Sequence, residues 1–181
     1  SDRKFGGSDT WATSYTLAEA IKKIGNFDLV ITGERATDGD TAQVGPGIAA
    51  WLNLPLATYV AHITEVSEQS MTVERLVEEG YQILDVPLPA LITVVKEIAA
   101  PRLPTLSGKK RSKVAEIPAF DLTNMDLDPA SLGSKGSPTK VVKIETPKVT
   151  RGGTVVQATG EHSVTDAVDQ LFEYLKSKEL V

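Results

Sequence analysis

Two stretches of this 181-residue sequence carry groups suited to holding a charged ligand. The first is Gly33-Glu34-Arg35-Ala36-Thr37-Asp38-Gly39-Asp40-Thr41-Ala42-Gln43-Val44-Gly45-Pro46, placed between an apolar run and a run of small apolar residues. A loop that leaves a buried strand and enters a helix is where open α/β sheets bind ligands. The free backbone N–H groups of such a helix and its dipole favour an anion such as a diphosphate, and Gly39 and Gly45 let the backbone come close. The same residues also suit a tight turn with Asp40 as N-cap, because the segment matches neither G-x-G-x-x-G nor the P-loop. Asp38 and Asp40 are better suited to capping and orienting donors than to sitting beside a phosphate. The second stretch is Thr10, Thr13, Ser14, Tyr15 and Thr16, an unusual load of hydroxyls where local capping needs only one or two.

Other chemistries are excluded by composition. The sequence has no cysteine, which removes disulfides, thiolate catalysis, Cys-ligated zinc and iron–sulfur clusters. His62 and His162 stand alone and receive no ligand role, so neither a metal site nor a catalytic acid or base is assigned. A net charge of -5 argues against nucleic-acid binding. The basic run Lys109-Lys110-Arg111-Ser112-Lys113 opposes that trend and reads as a solvated loop or a protein-docking segment. No apolar stretch approaches the roughly 20 residues that cross a bilayer, and the first residues lack the apolar core of a signal peptide, so the expected location is the cytoplasm without membrane insertion.

The elements that must position these groups follow from periodicity. Residues 8–25 predict a helix: Ser8 or Asp9 caps it, Leu17, Ile21 and Ile24 repeat on one face, Lys22 and Lys23 fill the last turn, and Gly25 closes it. Phe27 to Gly33 is a short β-branched run suited to a strand buried on both faces. A second helix is expected from Thr41 to Leu52. Further strands are expected at Thr58–Val66, at Met71–Leu76 and Tyr81–Val86 joined through Glu78-Glu79-Gly80, and at Ala90–Val95. Beyond residue 96, frequent prolines and the polar stretch Asp121 to Lys140 predict an arm rather than a core. A last amphipathic helix near 164–178, capped by Ser163, shows the stripe Val164, Ala167, Val168, Leu171, Phe172 and Leu175, and needs something to pack on. Trp11 and Trp51 are expected in the core or at an interface. The class is α/β.

Three segments together resemble the beta subunit of electron transfer flavoproteins. They are Ser8-Asp9-Thr10-Trp11-Ala12-Thr13-Ser14-Tyr15-Thr16-Leu17, Asp38-Gly39-Asp40-Thr41-Ala42-Gln43-Val44-Gly45-Pro46, and Leu88-Pro89-Ala90-Leu91 through Pro101-Arg102-Leu103-Pro104-Thr105-Leu106. The resemblance implies a three-layer parallel-sheet, adenine-nucleotide-binding (Rossmann-like) domain over 1–96. Residues 97–181 would form a docking loop, an extended arm and a C-terminal helix packed on an alpha subunit. It implies a heterodimer that passes electrons through FAD. In some members this pocket holds AMP; in bifurcating members that oxidise NADH it holds a second FAD. Gly39 and Val44 are similar to the second group, since AMP-binding relatives tend to carry an acid and a Thr there.

By the same resemblance, Gly33, Asp38, Gly39, Asp40, Thr41, Ala42, Gln43, Val44 and Gly45 would surround the diphosphate and ribityl part. Thr10, Thr13 and Ser14 would lie nearer the flavin ring. The segment Leu103 to Ser107 corresponds to the loop that anchors partner dehydrogenases of the acyl-CoA dehydrogenase type, with Leu103, Thr105 and Leu106 in contact and Lys109 and Lys110 steering the encounter. A flavin carries its own redox step, so no catalytic residue is required of the chain. Two alternatives stand beside this reading: a non-bifurcating carrier with AMP in the pocket, and a nucleotide-binding regulatory module with no redox role. Family members begin with further strands and helices, so the expected sheet would lack its first strands.

Overall fold

The computed structural model describes residues 2–146, 153 and 155–181. They fall into two units, Ser1–Val141 and Val142–Val181. Ser1, Pro147 and the side chain of His162 lie outside the described residues.

The first unit is built on a sheet of five strands: Leu29–Gly33 (β1), Leu56–Val66 (β2), Ser70–Val77 (β3), Gly80–Pro87 (β4) and Ala90–Val94 (β5). Their spatial order is β1-β5-β2-β3-β4. The first three of these neighbours run parallel, with Leu29 opposite Ala90 and Leu56 opposite Leu91. The hairpin of β3 and β4 adds antiparallel strands beyond β2. The α/β class expected from the sequence is therefore present, on a mixed sheet with a parallel half.

Two helices cover one face of that half. Thr10–Ile24 (α1) begins at Asp9, whose carboxylate accepts from Ala12 N at 3.1 Å, and ends at Gly25 (φ 69°), whose N–H bonds Ile21 O. These are the stop signals the sequence offered, with Asp9 rather than Ser8 as the cap. Val44–Leu52 (α2) ends at left-handed Asn53. Register partners Val30 and Leu91 meet Ala18, Ile48 and Ala49 on this side. On the other side Ala57, Val60, Met71, Val73, Val86, Ala90 and Ile92 form a second cluster.

Three expectations are corrected. The second helix starts at Val44, not Thr41, and Asp40 does not cap it: Asp40 and Ala42 have φ of 49° and 54°, left-handed values that a helix cannot contain. The basic run is not a loop. Lys109, Lys110 and Arg111 form the last turn of a short helix, Leu106–Ser112 (α3), which Thr105 caps by accepting from Gly108 N at 3.0 Å. The C-terminal helix, Glu161–Ser177, is not capped by Ser163, which sits inside its first turn and donates to Gly160 O.

Residues 120–137, expected as an arm, pack back on α1. Met125, Leu127 and Leu132 are buried with Phe5, Tyr15, Ala20, Phe120 and Leu122 around them. Gly133–Gly136 (α4) follows, and Ser137 Oγ accepts from Asp9 N at 2.8 Å while donating to Gly133 O at 2.7 Å. Asp9 Oδ2 in turn accepts from Thr139 N and Thr139 Oγ1. The second unit contains the C-terminal helix, which we label α5. Its apolar residues Val164, Val168, Leu171 and Phe172 are exposed.

Burial pushes the Asp9 carboxyl up, but bonds from Ala12 N, from the Thr139 amide and hydroxyl, and from Trp11 N outweigh it and hold the group below the ordinary carboxylate range. A lowered folded pKa stabilises the fold above the unfolded value of about 3.9 and loses that contribution as pH falls through the folded value. Asp9→Asn is therefore expected to lower stability at neutral pH and to flatten the loss below about pH 4, read from denaturation midpoints across pH. Leu132→Ala is expected to cost about 2–4 kcal/mol in chemical unfolding of this chain, because it empties the centre of the 120–137 cluster.

Candidate functional site

The predicted binding loop stands at the carboxyl ends of β1 and β5. Gly33 pairs with Val94 at the last register position, and Glu34 N donates to Val94 O at 3.0 Å. From there the loop is held by its own charges and amides. Arg35 bridges Glu34 (3.7 Å) and Asp40 (3.2 Å), Asp40 N donates to Ala36 O at 3.0 Å, and Asp38 accepts from Gly39 N at 2.8 Å. The side chains of residues 35–41 are exposed.

Left-handed Ala42 is followed by right-handed Gln43 (φ -99°, ψ -19°), a pair that turns consecutive backbone N–H groups toward one point, as in anion-binding nests. Gln43 makes no side-chain cap, and the first intrahelical bond is Gly47 N to Gln43 O. The N–H groups of Val44 and Gly45 therefore have no partner within α2, and Pro46 has none to offer. Among the described residues the amides of Ala42 and Gln43 have no partner either, so Ala42, Gln43, Val44 and Gly45 present a row of donors.

One glycine lets this row lie on the sheet, and a second lets α2 lie on α1. A Cβ on Gly45 would stand 2.5 Å from Thr93 Cγ2 and 2.8 Å from Thr32 Oγ1. One on Gly47 would stand 2.6 Å from Ser14 Oγ. Thr32 Oγ1 is buried without a hydrogen-bond partner among the described residues, and Thr93 Oγ1 accepts from the amide of Tyr59, itself left-handed at φ 57°. Thr32, Thr93 and Gly47 escaped the sequence reading. Their signal was a threonine one place before the end of each of two apolar strands, at positions that turn out to be register partners.

The hydroxyls of α1 divide into two groups. Ser14 is buried and donates to Trp11 O, and Thr16 donates to Ala12 O, so both are used locally. Tyr15 Oη accepts from Asp128 N at 3.0 Å. Thr10 and Thr13 are partly exposed, and their hydroxyls have no hydrogen bond among the described residues. Ser14 therefore belongs to the seam between α1 and α2. Trp51 packs with tilted rings at 4.8 Å against half-exposed Trp11 and at 5.0 Å against Tyr15, and His62 is exposed on β2. In the region after β5, Leu103 and Leu106 are 91% and 72% exposed beside exposed Lys109 and Lys110, and the hydroxyl of Thr105 is engaged as a cap.

Residues 1–124 match the family described as electron transfer flavoprotein domain. The chain is 44% identical to the electron transfer flavoprotein subunit beta of Megasphaera elsdenii, over all of this chain and 68% of that protein. The chain belongs to the beta-subunit family of electron transfer flavoproteins. It is also 41% identical to the subunit beta of Thermoanaerobacterium thermosaccharolyticum, over 99% of this chain and 67% of that one. With the caffeyl-CoA reductase-Etf complex subunit CarD of Acetobacterium woodii it shares 40% identity, over all of this chain and 68% of that subunit. Electron transfer flavoproteins are flavin- and nucleotide-associated carriers of electrons, and their beta subunits pair with an alpha subunit. Among the described residues of this beta subunit no helix is long and apolar enough to cross a membrane.

The seam between α1 and α2 yields a prediction. Gly47→Ala is expected to cost about 1–3 kcal/mol by overpacking against Ser14. Pairing it with Ser14→Gly removes the atoms it strikes and is expected to recover part of that loss in denaturant titrations. Simple addition of the two single effects would contradict the contact.

Proposed function

We propose that this beta subunit binds FAD at the 33–46 loop and works with its alpha subunit as a cytoplasmic carrier. Electrons would enter from NADH by flavin-based bifurcation and leave to an acyl-CoA dehydrogenase-type flavoenzyme. The observation that carries the reading is the run of amides at Ala42 to Gly45, unpartnered among the described residues, with Gly45 pressed on the strand ends and Gly47 on α1. Such a row suits a diphosphate, because each N–H is already oriented and needs no reorganisation to meet the negative charge.

The chain fits such a cofactor in three ways. A Cβ on Gly39 would meet nothing within 4 Å, so the loop is open where a nucleotide would lie. Arg35 is tied to Glu34 and Asp40, which steadies the loop and leaves the backbone as the phosphate ligand. The free hydroxyls of Thr10 and Thr13 stand on the helix that packs against α2, ready to donate to a polar ring edge. FAD, when bound, supplies the redox chemistry. The residues of this chain bind and orient it, with Asp38, Asp40 and Thr41 shaping the loop and Gly33 ending the strand beneath it.

Gly39 and Val44 favour FAD over AMP, as the sequence resemblance implies. The CoA-ester reductase complex to which the Acetobacterium woodii relative belongs supports an acceptor of the acyl-CoA dehydrogenase type. Docking is assigned to Leu103, Thr105 and Leu106, two exposed leucines beside a cap residue, with Lys109 and Lys110 supplying long-range attraction. The C-terminal region 97–181 provides this docking element and the contact to the alpha subunit.

The complex with the alpha subunit is expected to contain two FAD and to bleach in two steps during NADH titration. One FAD with one AMP, and no response to NADH, would overturn the bifurcating assignment. Leu106→Ala is expected to reduce electron delivery to the acceptor flavoenzyme at least about tenfold while flavin content stays the same. An unchanged rate would remove this loop from the docking surface.

A further inference from the structure

A second basic site lies away from the loop. A cavity of about 290 Å³ is lined by Arg3, Lys4 and Lys135, with Ser134, Gly6, Pro129 and Leu132 completing the wall. That volume is at the small end of ligand pockets. No carboxylate lines it, and none of the three cations takes part in an ion pair among the described residues. The nearby Asp2 carboxylate is committed to the amide of Lys4, at 2.9 Å. Three positive charges thus border one cavity in a protein whose net charge is -5, with the Asp128 carboxylate, bonded to Ala130 N and Ser131 Oγ, next in sequence to the Pro129 wall.

The walls of this cavity are fixed by close backbone approach. A Cβ on Gly133 (φ 56°) would lie 2.3 Å from Lys4 O and 3.0 Å from Gly6 O, and one on Gly7 (φ 74°) would lie 3.3 Å from Ser134 Cβ. Ser137 fastens the same two segments by bonding Asp9 N and Gly133 O. Arg3 and Lys4 on one wall therefore hold a set position relative to Ser134 and Lys135 on the other. Like charges held together in this way repel one another, and an anion between them relieves the repulsion.

We propose that this cavity is a diphosphate-binding site distinct from the 33–46 loop. Arg3 offers a forked pair of donors, Lys4 and Lys135 offer point charges, and Ser134 offers a hydroxyl, a set matched to a compact polyanion. Pro129 and Leu132 supply an apolar surface for the organic part of a small phosphorylated ligand. The site is independent of whether the loop holds FAD or AMP.

The test uses the complex with the alpha subunit, its flavin sites saturated with FAD, titrated calorimetrically with inorganic pyrophosphate and separately with ADP at fixed ionic strength. Lys4→Gln and Lys135→Gln are each expected to weaken pyrophosphate binding about five- to tenfold with flavin content unchanged. Tighter binding of ADP than of pyrophosphate would identify an organic diphosphate as the occupant, and equal binding would identify the free ion. Absence of pyrophosphate binding, or binding that ignores both substitutions, would overturn the site. Displacement of pyrophosphate by a short oligoglutamate at equal concentration would also overturn it, by marking the cavity as a dock for acidic peptide.

Discussion

The contact on which this structure depends is the one between the first turn of α2 and the ends of β1 and β5. A helix backbone reaches that close to a sheet only where a side chain is missing, and at Gly45 it is missing. The consequence is positional. Gly45, at the end of that row, lies against Thr32 and Thr93, at a level fixed by packed atoms rather than by a loop free to move. Gly47 carries the same contact to Ser14, so α1 is placed by α2. Thr10, one turn before Ser14, lies on the same side of α1 as that seam.

A further stretch of α1 is held by different chemistry. Residues 120–137 bring Met125, Leu127 and Leu132 against Tyr15 and Ala20, and Asp9, Ser137 and Thr139 join the start of the helix to the end of that segment. α1 is thus packed against α2 at a glycine and anchored at its start by a hydrogen-bonded cap. The loop depends on the seam with α2, and the basic cavity depends on the glycine contacts beside the cap.

Much of this was legible in the residues. Asp9, Lys22, Lys23 and Gly25 delimit α1 because each satisfies a terminal backbone group or the dipole, and the apolar runs mark strands, although only Ala90–Val94 is buried on both faces while Leu29–Gly33, expected to be so, exposes Ile31. The start of α2 was hidden, since Thr41, Ala42 and Gln43 are acceptable helix residues and only their surroundings hold Ala42 left-handed. Residues 120–137 were hidden because Met125, Leu127 and Leu132 are spread among Asp, Ser and Pro without a helix or strand period. In the candidate site the glycines and acids stood out by type. The two threonines beneath them did not, because their importance arises from register.

The order β1-β5-β2 has a consequence for how the molecule is made. β3 and β4 are neighbours in sequence and close a short hairpin, which forms quickly, whereas β1 must wait for β5, the last strand of the sheet to be synthesised. The bond from Glu34 to Val94 O ties the 33–46 loop to that late pairing. That tie therefore forms only after β5 has been made, and a chain stalled before Val94 lacks the bond that fixes the start of the loop to the sheet.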